Sequence, residues 1–241
     1  MKAYVHSFES LAGVDGEGLR YAVFLSGCPL RCVYCHNPDT QRSGGMEIEA
    51  SELAKKVARY TTYFKNGGGV TFSGGEPLCQ ADFINECGEY LRNINVGYVL
   101  DTSGAMPLTE SVKRALSASD GVILDIKFPD SDSYKRYTGV GIENTLKTLG
   151  YLESIGKKTL IRTVIVPGIN DTEDCIEKYA ALVKPYKCVK SYELLGFHTM
   201  GFFKYKELGI ENPLENTLPL SEEKRLALQR KLDGLLHSSN N

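Results

Sequence analysis

The chain has 241 residues, 42% of them hydrophobic, enough to bury a core without disulfide or metal staples. Its 28 basic and 30 acidic residues leave a formal net charge of −2, which argues against a protein held to nucleic acid by bulk phosphate attraction. No apolar run approaches the roughly 18 residues of a membrane helix, and Met1 to Ser7 show no apolar signal region, so a cytoplasmic, membrane-free setting is expected.

Read in chain order, short β-rich runs alternate with amphipathic stretches. Strands are predicted over residues 21–26, 69–73, 97–101, 121–127, 158–166 and 189–195. Helices are predicted over 51–64, 81–93, 108–118, 143–155, 171–183 and 221–236. Strand followed by helix, repeated six times, is the pattern of an α/β protein with a parallel sheet, because parallel strands need crossover connections. The architecture expected is a partial (β/α)6 TIM-like barrel in one domain over residues 1–241. It comprises a short N-terminal segment of about residues 1–20, the barrel over about 21–200 and a helical region over about 201–241.

Each predicted strand runs into polar or metal-competent residues. The endings are Gly27-Cys28, Ser73-Gly74-Gly75-Glu76-Pro77, Asp101-Thr102-Ser103-Gly104 and Asp125-Ile126-Lys127, then Arg162 within the fifth strand and His198 beyond the sixth. Active sites of α/β barrels and open sheets lie at these carboxyl ends. Asp101 and Asp125 end consecutive strands, so two carboxylates face one another unless one protonates or a cation separates them. Lys127 projects from the same face as Asp125 by the period of two. Arg162 lies inside an apolar strand and needs a partner, which an internal acid or a substrate would supply equally well.

Of seven cysteines, Cys28, Cys32 and Cys35 fall within eight residues, while Cys79, Cys87, Cys175 and Cys188 are scattered and read as structural. An odd count with this distribution is no secreted disulfide framework. Three soft thiolates on one tight loop suit zinc, copper(I) or an iron–sulfur cluster. Structural zinc requires a closed fourth ligand, for which the nearest candidate is the adjacent His36. A four-iron cluster on three cysteines keeps one iron open. Incidental buried thiols are the bland alternative.

The Cys-x-x-x-Cys-x-x-Cys spacing with Tyr34 before its last cysteine resembles the radical S-adenosylmethionine enzymes. Together with Asp15-Gly16-Glu17-Gly18-Leu19-Arg20, the strand-end motifs above and His198, in that order, the chain is similar to the glycyl-radical-enzyme activases over about residues 5–236. The chain departs from that pattern at Glu17, where proline is common, and at Ser103, where asparagine is common.

The resemblance implies a radical S-adenosylmethionine core with one 4Fe–4S cluster on Cys28, Cys32 and Cys35. It implies S-adenosylmethionine near Tyr34, Cys35, His36, Gly75, Asp125, Ile126, Lys127 and His198, and a monovalent cation at Asp101, Thr102 and Asp125. Plain packing of Tyr34 and His36, and a satisfied loop histidine at His198, are the alternatives there. The implied activity is reductive cleavage of S-adenosylmethionine to methionine and a 5′-deoxyadenosyl radical. That radical takes a Cα hydrogen from a glycine of a glycyl radical enzyme, with pyruvate formate-lyase the leading candidate. Asp15, Arg162 and His198 are the implied peptide contacts, and the implied electron donor is a flavodoxin or ferredoxin. Rival readings are an activase of another glycyl radical enzyme, a radical enzyme acting on a small substrate, and a non-catalytic iron–sulfur electron-transfer module.

Overall fold

The computed structural model describes residues 1–237. The chain opens with β1 (Lys2–Ala12), returns as β2 (Arg20–Leu25) and adds a short β3 (Met46–Glu49). There follow α1 (Ala50–Ala58), β4 (Gly69–Gly74), α2 (Ala81–Arg92), β5 (Tyr98–Thr102), α3 (Glu110–Ala118) and β6 (Gly121–Asp125). The remainder is α4 (Ser131–Thr138), α5 (Glu143–Ser154), β7 (Thr159–Ile165), α6 (Glu173–Val183), β8 (Val189–Gly196), α7 (Phe202–Leu208) and α8 (Glu222–His237). One sheet holds all eight strands in the order β3-β1-β2-β4-β5-β6-β7-β8. The six strands from β2 through β8 pair in parallel, whereas β1 pairs antiparallel with β2 and β3.

The parallel strands and their outer helices make the expected partial barrel, open between its edges. Phe72, Leu100, Leu124 and Ile161 point outward beneath the helices and are fully buried. The alternate residues point into the barrel, and strand register sets Asp125, Arg162 and Glu193 side by side across β6, β7 and β8. One face of the sheet is thus a hydrophobic core and the other carries charge, which is why the apolar runs are interrupted at these positions.

The N-terminal segment is more ordered than the sequence implied. β1 buries only Ala3, Val5 and Ala12, too sparse an alternation to be read as a strand, and antiparallel pairing supplies the rest. The first predicted helix stops at Ala58 and continues as a 3-10 turn over Thr61–Tyr63. α4 occupies a stretch where no helix was expected, and α7 falls in the expected helical region without being predicted as an element of its own. Both are short, and α4 buries only Tyr134 and Thr138, so neither carries a readable apolar stripe. The last predicted helix is present as α8, and residues 238–241 of the helical region lie outside the described residues.

At the amino-terminal ends of the strands, buried Arg20 ties three segments together. Its Nε donates to Thr71 Oγ1 at 3.0 Å, Nη1 to Gly67 O at 2.7 Å and Nη2 to Val70 O at 2.5 Å. Burial lowers its pKa, opposed by the nearby Asp120, Glu17 and Asp15 carboxylates. Arg20→Met keeps much of the packing but strands these carbonyls in the interior. It should lower unfolding stability by about 3 kcal/mol, read as a shifted urea midpoint at unchanged slope; a shift of under about 0.5 kcal/mol would show the hydrogen bonds to be dispensable.

Candidate active site

The cysteine loop leaves β2 and is pinned by backbone hydrogen bonds on both sides. Gly27 N donates to Thr40 O at 2.7 Å, Arg31 N to Thr138 O at 2.7 Å and Val33 N to Tyr137 O at 3.0 Å. This seats Cys28, Cys32 and Cys35 around one cavity of about 250 Å³ at the carboxyl ends of the strands. Burial pushes the Cys28 thiol up to about 11 and the Cys32 thiol up to about 12, and raises Cys35 as well. The free thiols are therefore neutral at physiological pH, and ligating a metal centre releases their protons.

Among the described residues, no three histidine, cysteine, aspartate or glutamate side chains converge closely enough for a single metal ion. His36 does not complete a zinc site through Nε2, which meets the carbonyl of His198 at 2.9 Å. Three soft donors around one cavity, without that fourth ligand, fit a polynuclear cluster with one open position better than closed zinc.

Opposite the thiols lies the loop after β4. Its glycines serve a purpose the sequence did not reveal: they let β4 close against β2. A Cβ on Gly74, whose φ is +113°, would overlap the backbone of Leu25, and one on Gly75 would overlap the carbonyl of Gly27. The next residue, Glu76, is fully buried. Its Oε1 accepts from Thr102 Oγ1 at 2.6 Å and Leu78 N at 3.0 Å, while Oε2 accepts from Ser103 N at 2.9 Å and from Ser103 Oγ. Burial raises its pKa, and the hydrogen bonds from Ser103 and Thr102 oppose that rise. Ser103, the departure from asparagine, thus gives a hydroxyl and an amide to this carboxylate.

The third wall carries charge. Lys127 is ion-paired with Asp125. Burial works most strongly against the Lys127 charge, but the Asp125 carboxylate, by charge and hydrogen bond, together with Tyr34 and Cys32 outweighs it and holds the amine well above the ordinary lysine value. Asp101 accepts from Ser73 Oγ at 2.8 Å. Burial and then the Asp125 carboxylate push its pKa up to about 7. The hydroxyl of Tyr34 and Nδ1 of His198 are buried without a protein partner, and buried polar groups of this kind ordinarily meet a ligand or water.

Ten residues singled out in the sequence line this one cavity: the three cysteines with Tyr34, His36, Gly75, Asp101, Thr102, Asp125 and Lys127. Ile126 does not. Its side chain is fully buried in the core and its carbonyl accepts from Thr163 Oγ1 at 2.7 Å. His198 stands behind His36, their rings stacked at 3.7 Å. Arg162 lines a separate cavity of about 430 Å³ toward the amino ends of the strands. There its Nε pairs with Glu193 at 3.0 Å and Nη2 donates to Val14 O at 2.6 Å, so the internal ion pair left open by the sequence is present. Asp15 lies near Arg162 and Arg20, its pKa raised by burial against the pull of both cations. The three expected peptide contacts therefore do not share one pocket. Glu76 and Tyr205, whose hydroxyl donates to Cys35 O at 2.8 Å, are the site-shaping residues whose partners sequence spacing could not supply.

The raised Asp101 pKa has a stability signature. An unfolded aspartate titrates near 3.8 and the folded group near 7, so between these values the folded state holds the extra proton. The contribution of Asp101 is best on the acid side and worsens as pH rises through about 7. Asp101→Asn should raise the melting temperature of the ligand-free protein at about pH 8, by about 2–4 °C per kcal/mol relieved, and change it little near pH 3.8, the unfolded value. Equal shifts at both pH values would contradict this account.

Known proteins share both the sequence and the fold. Residues 22–181 match the family model of the Radical SAM superfamily. The chain is 42% identical over 234 residues to the pyruvate formate-lyase-activating enzyme of Clostridium pasteurianum, covering 96% of this chain and 98% of that protein. A domain of the pyruvate-formate lyase-activating enzyme of Bacteroides vulgatus superposes with a TM-score of 0.58 at 22% identity, covering 70% of this chain and 95% of that one. SuiB of Streptococcus suis, in its structure bound to S-adenosylmethionine, superposes with a TM-score of 0.57 at 20% identity over 69% of this chain and 37% of its own. The chain belongs to the Radical SAM superfamily and, within it, to the family of the pyruvate formate-lyase-activating enzymes.

Proposed function

We propose that this chain activates a glycyl radical enzyme, with pyruvate formate-lyase as its protein substrate. The observation that carries the reading is the convergence of three thiols, the Gly74-Gly75 loop and the Asp125–Lys127 pair on one cavity. It occurs in a chain 42% identical to a pyruvate formate-lyase-activating enzyme over nearly its full length. When bound, a 4Fe–4S cluster with S-adenosylmethionine supplies one-electron cleavage of the sulfonium carbon–sulfur bond and, through the adenosyl fragment, abstraction of a hydrogen atom from a glycine Cα.

The chain's own part is to bind, orient and shield. Cys28, Cys32 and Cys35 hold the cluster as thiolates. The backbone at Gly75 receives the amino end of S-adenosylmethionine, Lys127 meets its carboxylate or ribose, and Tyr34 and His36 border the adenine. Asp101, Thr102 and Asp125 hold a monovalent cation, which offsets the burial and the Asp125 repulsion that together lift the Asp101 pKa. Thr102 donates its proton to Glu76 and accepts from Gly104 N at 2.9 Å, which leaves one lone pair of its oxygen for a cation.

Asp15 and Arg162 meet the substrate peptide from the amino-terminal end of the barrel, and His198 meets it from beyond β8, where its ring stacks on His36. The departure Glu17 is paired with Lys158 at 2.5 Å, so the loop that carries Asp15 is tied to the start of β7. A flavodoxin or ferredoxin supplies the electron, and the reaction is cytoplasmic. Among the described residues no helix is long and apolar enough to cross a membrane.

The test is electron paramagnetic resonance after anaerobic incubation of the reconstituted protein with reductant, S-adenosylmethionine and pyruvate formate-lyase. A glycyl doublet should appear, and it should be absent when the partner's target glycine is replaced by alanine. Cys28→Ala, Cys32→Ala and Cys35→Ala should each lose the four-iron spectrum and the doublet, while Cys79→Ala and Cys175→Ala keep both. Cofactor cleavage without a glycyl signal would refute this substrate, and a cluster that survives loss of Cys32 would refute the ligand set.

A further inference from the structure

Beyond β8 the chain turns back across the tail of the cysteine loop. Its polar contacts there fall on Cys35, His36, Asn37 and Asp39. Tyr205 Oη donates to the carbonyl of Cys35 at 2.8 Å. Lys204 Nζ donates to Asn37 Oδ1 at 2.8 Å and pairs with Asp39 at 3.0 Å. The His36 ring meets the His198 carbonyl and stacks on the His198 ring. Gly201 permits the approach, since a Cβ there would overlap the backbone of His36. From the opposite side, His6 of β1 meets the same Asp39 carboxylate at 2.9 Å.

These contacts matter because the loop has little structure of its own. Between Cys28 and Asn37 there is no helix or strand, and only a 3-10 turn over Pro38–Thr40 follows. A loop that must hold desolvated thiols in a fixed arrangement needs its backbone immobilised from outside. The polar ends of Tyr205 and Lys204 do this while Phe203 of the same helix faces solvent. The match to the superfamily model ends at residue 181, so the segment responsible lies outside it.

We propose that α7 is a latch on the cysteine loop, in which Tyr205 and Lys204 are positioning residues that hold Cys35 ready to ligate. The inference rests on the reading of Cys28, Cys32 and Cys35 as cluster ligands. Removing either contact frees the Cys35–Asp39 backbone without unfolding the barrel, so the loop samples non-ligating conformations and iron escapes sooner.

The experiment compares Tyr205→Phe and Lys204→Met with Lys204→Arg and, as a control on the exposed side, Phe203→Ala. In the metal-free proteins, deuterium exchange should accelerate at residues 35–41 in the first two variants and stay unchanged in β4, β5 and β6. In the reconstituted proteins under anaerobic conditions, iron release to a ferrous chelator should be about tenfold faster in those two variants, the size expected for one charged or buried hydrogen bond. Lys204→Arg should restore most of the wild-type rate, and Phe203→Ala should match the wild type. Wild-type exchange and release rates in both variants would overturn the latch, as would acceleration spread evenly over the barrel. Wild-type protein that takes up no cluster would instead overturn the reading of the cysteines, and the exchange comparison would still judge the latch.

Discussion

The geometry of the site depends on one buried carboxylate. Glu76 sits directly after the glycines that close β4 against β2, and it accepts from the backbone and side chains of the loop after β5. Two neighbouring strand ends are thereby locked together at the level where the cavity opens. A carboxylate with no exposure is costly unless every lone-pair direction is used, and here four donors use them. Satisfied buried networks of this kind fix a unique arrangement, and the walls bearing Gly75, Asp101 and Thr102 inherit that arrangement.

Around this fixed frame the cavity is electrostatically unfinished. Asp101 and Asp125 repel, the thiols are held neutral by desolvation, and Tyr34 and His198 bury polar atoms that no protein group meets. Each of these costs stability in the free chain, and each is relieved by a ligand of the right sign: a cation between the carboxylates, a metal cluster on the thiols, a polar cofactor against the orphaned atoms. Clustering of such features at one end of a barrel is how function departs from stability. The amino-terminal end is different in kind. There Arg20 meets its carbonyl acceptors and Arg162 its acid, so the cations are already paired within the chain.

Much of this was legible in the sequence because it is local. The cysteine spacing, the Gly-Gly-Glu segment and the Asp-x-Lys pair each bring their residues together within a few positions, and strand periodicity alone points Asp125 and Lys127 to one face. The six parallel strands announced themselves through apolar runs. What stayed hidden depends on separation. Glu76 meets Ser103 across 27 positions and Tyr205 meets Cys35 across 170, and no period or spacing encodes either. Ile126 was grouped with its neighbours by motif, yet the strand's alternation sends its side chain into the core. At Ser103 a hydroxyl stands where asparagine is common, and only the fold reveals its partner, Glu76. α7 lies in the region expected to be helical, but its bounds stay unreadable because seven residues with one buried side chain carry no stripe.

The most direct test of the central claim is the affinity of the cluster-loaded Glu76→Gln protein for S-adenosylmethionine, measured by titration calorimetry under anaerobic conditions. The amide is isosteric but offers one acceptor where the carboxylate offers two. The hydroxyls of Thr102 and Ser103 are free to rotate, whereas the backbone N–H groups of Leu78 and Ser103 are not, so one of them loses its acceptor. The account predicts a folded barrel that retains its cluster and binds the cofactor about tenfold more weakly or worse, the effect of one orphaned buried donor. Wild-type affinity in a folded Glu76→Gln protein would mean that the strand ends hold their places without this carboxylate, and would contradict the account.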